Sequence, residues 1–140
     1  MTRAIACMLL LFAAGAASAE SPEPGRWRVM TTTLSGPPAP PQIAMRCLTP
    51  DEVADLGKTF GPQASTVNSQ CERTEFQFDP SGLKWRMQCR GQINIDIAGQ
   101  FVFESATRYS AMVVTRATMM DLVVQHSMVS IDAERVGACP

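Results

Sequence analysis

Residues 75–89 read EFQFDPSGLKWRMQC, and this stretch decides the fold. Apolar and polar side chains alternate on both sides of the segment DPSG, which has the composition of a tight turn. A four-residue loop pairs Phe78 with Leu83. The next pair on the same face is then Phe76 with Trp85. The stretch therefore predicts an antiparallel β-hairpin with one apolar face.

The same alternation recurs on both sides of this hairpin. Turn residues separate the alternating segments every 8 to 12 positions, a spacing typical of antiparallel all-β domains. Together the segments predict a mainly β fold: an antiparallel curved sheet, sandwich-like or barrel-like, with one short helix. Besides the hairpin, the predicted strands are 26–33, 43–47, 93–103, 109–115 and 121–131.

The one predicted helix follows the second strand. Thr49 is suited to cap it, proline stands at the first helical position, and Glu52 lies three residues beyond the cap. This is the pattern of a capping box. We expect a helix over Pro50–Leu56, ended by Gly57.

Composition excludes several classes of protein. The chain has 140 residues, 46% of them hydrophobic and 18% charged, with a formal net charge of −1. These values are typical of one folded domain and exclude global disorder. Binding to nucleic acid requires a concentration of basic residues, which a slightly acidic chain lacks. We therefore expect no nucleic-acid partner.

The N-terminus has the pattern of a secretory leader. A basic start precedes the apolar stretch Ala4–Ala17, and a small-x-small site ends at Ala19. The stretch is shorter than the roughly 20 residues of a transmembrane helix, and no second apolar span follows. We predict a cleaved signal peptide at 1–19 and a single β-rich domain at 20–140, without a transmembrane anchor.

Cleavage removes one of the five cysteines and leaves Cys47, Cys71, Cys89 and Cys139. An even number in an exported chain predicts two disulfides. The hairpin register places Glu72 opposite Cys89, so a Cys71–Cys89 bridge would need a β-bulge. Counting strand directions places all four cysteines at one end of the sheet. All three connectivities stay open, and the sequence slightly favours Cys47–Cys71 with Cys89–Cys139.

Four short motifs now stand in a recognisable order: PGRWRV at 24–29, CLTPDE at 47–52, WRMQC at 85–89 and RVGAC at 135–139. Their order resembles the exported bacterial family known as domain of unknown function 3617 (DUF3617). The resemblance covers nearly all of the chain after the leader. It implies a periplasmic location in a Gram-negative bacterium and paired cysteines. It supplies no activity and no catalytic residues.

The sequence gives little support for a catalytic site or a metal site. His126 is the only histidine, and on its predicted strand it shares a face with Leu122, Val124 and Met128. Its polar neighbours in sequence point to the other face, and no Gly-x-Ser-x-Gly motif occurs. A zinc site needs three or four ligands, and oxidised cysteines cannot supply them. We therefore expect no enzyme and no cofactor.

Methionine is abundant after the leader. Thioethers bind Cu(I), so a periplasmic copper-binding protein is one alternative. The spacing argues against it, because only two methionines are close in sequence and adjacent strand residues face opposite ways. Methionine also suits an adaptable apolar interior. The seven methionines are Met30, Met45, Met87, Met112, Met119, Met120 and Met128.

The leading hypothesis is a non-catalytic periplasmic, or envelope, domain that holds a small apolar ligand within its curved sheet. A second hypothesis is an interaction or structural module that meets another envelope protein through an exposed edge or the loop Gly36–Pro41. The sequence sets no oligomeric state. The residues predicted to line the apolar cavity are Trp27, Trp85, Phe101, Met112 and Val124.

Overall fold

A computed structural model describes residues 20–63 and 70–140 of the chain. The signal peptide expected at residues 1–19 lies outside the described residues. Among the residues that are described, no helix combines the length and the apolar composition needed to cross a membrane.

Seven strands of the described chain form one antiparallel sheet, in the order β2-β1-β7-β6-β5-β4-β3. The hairpin quoted first is confirmed, with Phe78 opposite Leu83 and Phe76 opposite Trp85. The mainly β prediction is also confirmed. In chain order the elements are β1 (Gly25–Ser35), β2 (Gln42–Leu48), α1 (Pro50–Ala54), α2 (Leu56–Thr59), β3 (Gln70–Asp79), β4 (Gly82–Arg90), β5 (Asn94–Ser105), β6 (Arg108–Met119) and β7 (Leu122–Gly137).

The C-terminal strand β7 joins the two parts of the sheet. Strands β1 and β2 form an N-terminal hairpin, and β3 to β6 form a meander. β7 lies between them: Ile131 pairs with Thr31 of β1 on one side and with Ala111 of β6 on the other. The first and last strands of the chain are therefore neighbours, and the sheet is complete only when the C-terminus has folded.

The sheet is open, with β2 and β3 as its edges. In the described part of the chain it neither closes into a barrel nor packs on a second sheet. Residues 49–63, which follow β2, occupy that place instead. Leu56 and Phe60 of this segment are both buried against the core of the sheet. An apolar sheet face must be covered, and here a short helical segment covers it.

We call the end of the sheet with the β6–β7 turn, at Met120, the tip end, and the opposite end, with the β5–β6 turn at Ala106, the base end. β2 ends at the base end and β3 begins at the tip end. The prediction that all four cysteines share one end is therefore wrong. Cys71 and Cys89 lie at the tip end, and Cys47 lies at the base end.

One face of the sheet, which we call the inner face, carries the core. Alternate residues of each strand point to it, as the sequence pattern predicts. Trp27 and Leu83 are fully buried there, and Ala111 and Ala133 leave room for the larger rings. The buried residues that form the core cluster are Trp27, Leu48, Leu56, Phe60, Leu83, Trp85, Met87, Cys89, Phe101, Phe103, Tyr109, Ala111 and Ala133.

The predicted capping box is present at α1. The Glu52 backbone N–H donates to the Thr49 hydroxyl over 3.3 Å, and the Thr49 backbone N–H donates to the Glu52 carboxylate over 2.8 Å. These two bonds satisfy N–H groups that the first turn of a helix leaves without partners.

The helix does not continue to Leu56 as predicted. Asp55 leaves the helical region, with φ −131° and ψ 76°, and its side chain accepts from the backbone N–H of Lys58. The aspartate therefore caps a second helix, α2, which contains Gly57. The prediction that Gly57 ends a single helix is wrong, because a side-chain cap within the segment starts a new turn before the glycine is reached.

The Cys71–Cys89 disulfide lies on the β3–β4 hairpin, with a Cα–Cα distance of 4.0 Å. A register shift between Arg73 and Glu75 inserts one extra residue into β3. This is the bulge that the simple register lacked. It places Cys71 opposite Cys89 and Glu72 opposite Gln88. The favoured pairing of Cys47 with Cys71 is therefore wrong.

The second disulfide, Cys47–Cys139, joins the end of edge strand β2 to the residues after β7, with a Cα–Cα distance of 5.5 Å. The favoured Cys89–Cys139 pairing is wrong as well, since these two residues lie at opposite ends of the sheet. The prediction of two disulfides is confirmed. The 92-residue separation of the bridge closes almost the whole described chain into one loop.

Trp85 has room on the inner face because its cross-strand neighbour is Gly99. A Cβ atom at position 99 would overlap the indole ring of Trp85. The indole N–H donates to the Phe60 carbonyl oxygen over 2.9 Å. Gly99 thus lets the Trp85 ring lie close to the sheet, where it holds the helical segment through this hydrogen bond.

We predict that Gly99→Ala lowers the free energy of unfolding by about 1 to 3 kcal/mol, because the added methyl displaces a buried ring. Urea unfolding followed by tryptophan fluorescence measures this. Ala98→Val is the matched control, because Ala98 precedes Gly99 on the same strand and points to the outer face. Its change should stay within about 0.5 kcal/mol. Equal stability of Gly99→Ala and the parent chain would contradict the packing described.

The two disulfides should differ in their contribution to stability. The chain-entropy relation gives about 4.6 kcal/mol for the long loop and about 3.2 kcal/mol for the short one. Cys47→Ser with Cys139→Ser should therefore lower the urea midpoint more than Cys71→Ser with Cys89→Ser. Peptide mapping without reduction should recover Cys47 linked to Cys139, and a peptide linking Cys47 to Cys71 would overturn the connectivity.

Candidate functional site

A cavity of about 420 Å³, which we call the inner cavity, lies between the inner face of the sheet and the residues after α2. Its volume falls within the range of small-molecule sites, and its walls are predominantly apolar. Its lining residues are Val29, Ala44, Arg46, Thr59, Phe60, Gly61, Gln63, Trp85, Met87, Ile97, Phe101, Tyr109 and Ile131.

The inner cavity exists because the sheet is strongly curved. Ala44 of β2 and Trp85 of β4 both line it, yet five strand spacings separate these strands in the sheet order. In a flat sheet those strands would lie about 24 Å apart. Arg46 of β2 also lies over the ring of Phe60, which packs on Phe101 of β5. The sheet therefore bends around its inner face, as predicted from the sequence.

Phe60 is the residue that holds the roof of the cavity in place. Its ring lies 5.4 Å from the ring of Phe101 and 5.0 Å from the ring of Tyr109, centroid to centroid. Its carbonyl oxygen accepts the Trp85 indole N–H. Aromatic pairs at these distances stabilise the contact beyond the area that they bury. Both the side chain and the backbone of Phe60 are therefore anchored to the sheet.

Arg46 and Tyr109 add polar groups to the apolar walls. The Arg46 guanidinium lies 5.4 Å from the centre of the Phe60 ring, and its Nη2 lies 3.5 Å from Oε1 of Glu52. Burial raises the pKa of the Tyr109 phenol, and the charge of Arg46 acts in the opposite direction.

Glu52 takes part both in the ion pair with Arg46 and in the capping box of α1. The hydrogen bond from the Thr49 backbone N–H holds the pKa of this carboxyl below its usual value, and the charge of Arg46 lowers it further. Glu52 is therefore ionised at neutral pH. Because the pair is exposed to solvent, its net contribution to stability is small. The guanidinium is thus available to an anion that enters the cavity.

The structure separates the five residues predicted to line a cavity. Trp85 and Phe101 lie on the inner cavity. Trp27 is fully buried beside it and packs on Tyr109. Met112 points to the outer face and lines a different, shallow groove. Val124 is half exposed near the tip end. Parity along β7 could not place Val124, because Val124 is the unpaired extra residue of a β-bulge.

The sequence analysis did not identify Arg46, Phe60 or Tyr109 as site residues. One signal for Phe60 was present: Leu56 and Phe60 are apolar residues four apart in an otherwise polar segment, a spacing typical of one helix face. Arg46 carried no signal, because a charged residue on an edge strand is expected to be solvated.

His126 lies on the outer face of β7, opposite Arg116 of β6, and is exposed. A register shift between Ala117 and Thr118 breaks the parity of β7, so Leu122 does not share its face as the sequence suggested. Within residues 20–63 and 70–140, no three His, Cys, Asp or Glu residues are grouped in a way that could hold a metal ion.

The methionines are distributed over several surfaces. Met112 and Met128 are diagonal neighbours on the outer face of β6 and β7, and Met119 and Met120 lie at the β6–β7 turn. Met87 is buried next to the inner cavity. In the described strands the register brings no third methionine next to either pair, whereas a thioether site for Cu(I) needs several sulfurs at one point.

Comparison with known proteins assigns a family. No curated protein and no solved structure matches the chain. One family model, described as a protein of unknown function (DUF3617), matches residues 22–139. That range contains every strand of the sheet and all four bridged cysteines, so the resemblance drawn from the sequence motifs is confirmed. The chain belongs to the DUF3617 family of proteins of unknown function.

Proposed function

We propose that this protein is a non-catalytic periplasmic domain that binds an amphipathic ligand, with the apolar part of the ligand in the inner cavity. The observation that carries the proposal is an apolar cavity of about 420 Å³ that opens to solvent beside a guanidinium group. The periplasmic location rests on the leader pattern of the sequence.

The walls favour an apolar chain or ring system. Trp85, Phe101 and Ile97 form the floor on the sheet, and Phe60 forms part of the roof. Each square ångström of apolar surface that leaves water contributes about 25 cal/mol. A ligand with an extended hydrocarbon part can therefore gain several kcal/mol from these walls alone. The buried Met87 beside them can adapt to ligands of different shape.

The polar groups favour an anionic head. Arg46 provides five fixed donors on a permanently charged group, a geometry that suits carboxylate and phosphate. The hydroxyl of Tyr109 is a further donor on the same wall. An anion at this position replaces Glu52 as the partner of Arg46, while the hydrocarbon part lies under Phe60. A fatty acid has this combination of groups.

The non-catalytic part of the proposal rests on where the chemical groups lie. The only histidine in the chain, His126, is exposed on the outer face, whereas the cavity is on the inner face. Histidine is the side chain that most often performs general acid–base catalysis, and it must then lie within hydrogen-bond reach of the bound molecule. Native mass spectrometry of protein purified from the periplasm should therefore show a bound lipid-like molecule that leaves unaltered on denaturation.

Narrowing the cavity should weaken ligand binding. Ala44 lines the cavity from edge strand β2, so we predict that Ala44→Phe weakens binding of dodecanoate at least tenfold in calorimetric titration. Ile43→Phe is the matched control, because Ile43 is exposed on the opposite face of the same strand. Its affinity should equal that of the parent chain. Equal affinities for both variants would place the ligand elsewhere.

The head-group assignment is tested by two variants and two ligands. Arg46→Gln should weaken dodecanoate binding about tenfold and leave dodecanol binding unchanged, because only the carboxylate uses the guanidinium. Glu52→Gln should strengthen dodecanoate binding several-fold, since it removes the competing carboxylate while its amide oxygen can still complete the capping box. If both ligands respond alike to Arg46→Gln, the anionic head is refuted and the apolar site is retained.

A further inference from the structure

The β6–β7 turn carries an exposed apolar cluster that the ligand proposal does not use. We call residues 119–124 the hairpin tip. Met120 is 82% exposed, Leu122 69% and Val124 51%. Large apolar side chains that are exposed singly are common, but a contiguous group marks an interaction site. The apolar residues of the hairpin tip are Met119, Met120, Leu122, Val123 and Val124.

The hairpin tip is apolar on both of its faces. Met119 pairs with Leu122, and Val123 pairs with Thr118 on the next rung. Because adjacent strand residues point to opposite faces, Leu122 and Val123 expose apolar groups in opposite directions. Elsewhere on β6 and β7 the inner face carries buried residues, such as Ala111. At the hairpin tip both faces are exposed.

The hairpin tip also extends beyond its neighbour on one side. The pairing of β1 with β7 reaches only Met128, where it meets Ser35. From Leu122 to Val124 the strand advances about 7 Å, at roughly 3.4 Å a residue, and the turn residues Met120 and Asp121 lie beyond it. That length matches the depth of 5 to 10 Å to which interfacial segments enter a bilayer.

Basic groups lie directly behind the apolar part. Arg116 stands opposite His126 on β7 and opposite Asp96 on β5. Arg90 Nη2 lies 3.5 Å from Oδ1 of the same aspartate. Arg116 and Arg90 therefore flank Asp96 at the level where lipid phosphates would lie, and Glu72 of β3 is a further acidic residue on the same rung. Asp121, in the turn itself, is the one acidic group within the apolar part.

We propose that the hairpin tip inserts into the surface of a lipid bilayer that contains anionic phospholipids. A folded protein partner has a fixed surface and would cover one face of the hairpin. A fluid bilayer surrounds both faces, and its phosphates complement the charge of Arg116 and Arg90. Ile93, in the β4–β5 connection just before β5, is a further exposed apolar residue at the tip end. This inference does not depend on the inner cavity.

Asp121 allows a specific test of the proposal. Its carboxylate opposes insertion into a bilayer, whereas its backbone conformation suits the turn. Its φ is 62°, a left-handed conformation that Asn adopts as readily as Asp. Asp121→Asn therefore keeps the turn and removes the charge. We expect this variant to bind vesicles several-fold more tightly than the parent chain.

The test is flotation of the full-length chain, produced with its own leader and purified from the periplasm, with vesicles of phosphatidylethanolamine and phosphatidylglycerol. The double variant Met120→Ser with Leu122→Ser should bind at least tenfold more weakly. The double variant Ile43→Ser with Met45→Ser is the matched control, because it removes two exposed apolar groups from the outer face of β2. It should bind as the parent chain does.

Vesicles of phosphatidylcholine alone should bind the parent chain more weakly, and Arg116→Gln should remove that difference between lipids. Unchanged tryptophan fluorescence establishes that each variant is folded. The proposal is overturned if the parent chain fails to float with the anionic vesicles, or if the tip and control variants lose binding equally. It is also overturned if Asp121→Asn weakens binding, because the turn would then lie in water.

Discussion

The structure depends on how one apolar sheet face is kept from water. Seven strands present alternating apolar residues to the inner face, and the short segment after β2 covers the part of it nearest the base end. Phe60 is the centre of that cover: its ring packs on Phe101 and Tyr109, and its carbonyl oxygen accepts from Trp85. Burial of one such ring contributes about 1.5 to 3 kcal/mol. The hydrogen bond adds about 1 kcal/mol. Together these are a substantial part of the stability of a small domain.

The inner face of the sheet is only partly covered, and this creates the candidate binding site. A second sheet would pack against the whole inner face, as in a β-sandwich. A segment of two short helices cannot, so part of the curved face stays open beside Phe60 and forms the inner cavity. The fold tolerates the opening because two disulfides and the central position of β7 hold the strands in place independently of what fills it. Phe60 and Trp85 contribute both to stability and to the cavity walls, whereas the disulfides contribute to stability alone.

Local patterns in the sequence predicted much of this fold. Alternation identified the strands, turn composition set the register of Phe78 with Leu83, and the order of Thr49 and Glu52 gave the capping box. The failures have a common physical origin. The bulge before Glu75 and the cap at Asp55 each depend on a single residue whose effect appears only when neighbouring strands or turns are in place. One inserted residue reverses every facing assignment that follows it.

The site was harder to predict than the fold, because its residues meet only through long-range topology. Trp85 and Phe101 belong to the regular pattern and were found, whereas Arg46 reaches the cavity because the sheet curves. The extent of the inner cavity along the sheet bears on the hairpin tip. Tyr109 lines the cavity toward the base end, and Ile97, which pairs with Thr115 of β6, lines it toward the tip end. Thr115 lies four residues before Met119, about 13 Å at 3.3 Å a residue. In a protein held in a bilayer by the hairpin tip, the apolar wall at Ile97 would therefore lie close to the headgroups, whereas Arg46, near the base end of β2, would lie farther out in water. The two proposals together place the apolar part of a ligand toward the membrane and its anionic head toward water.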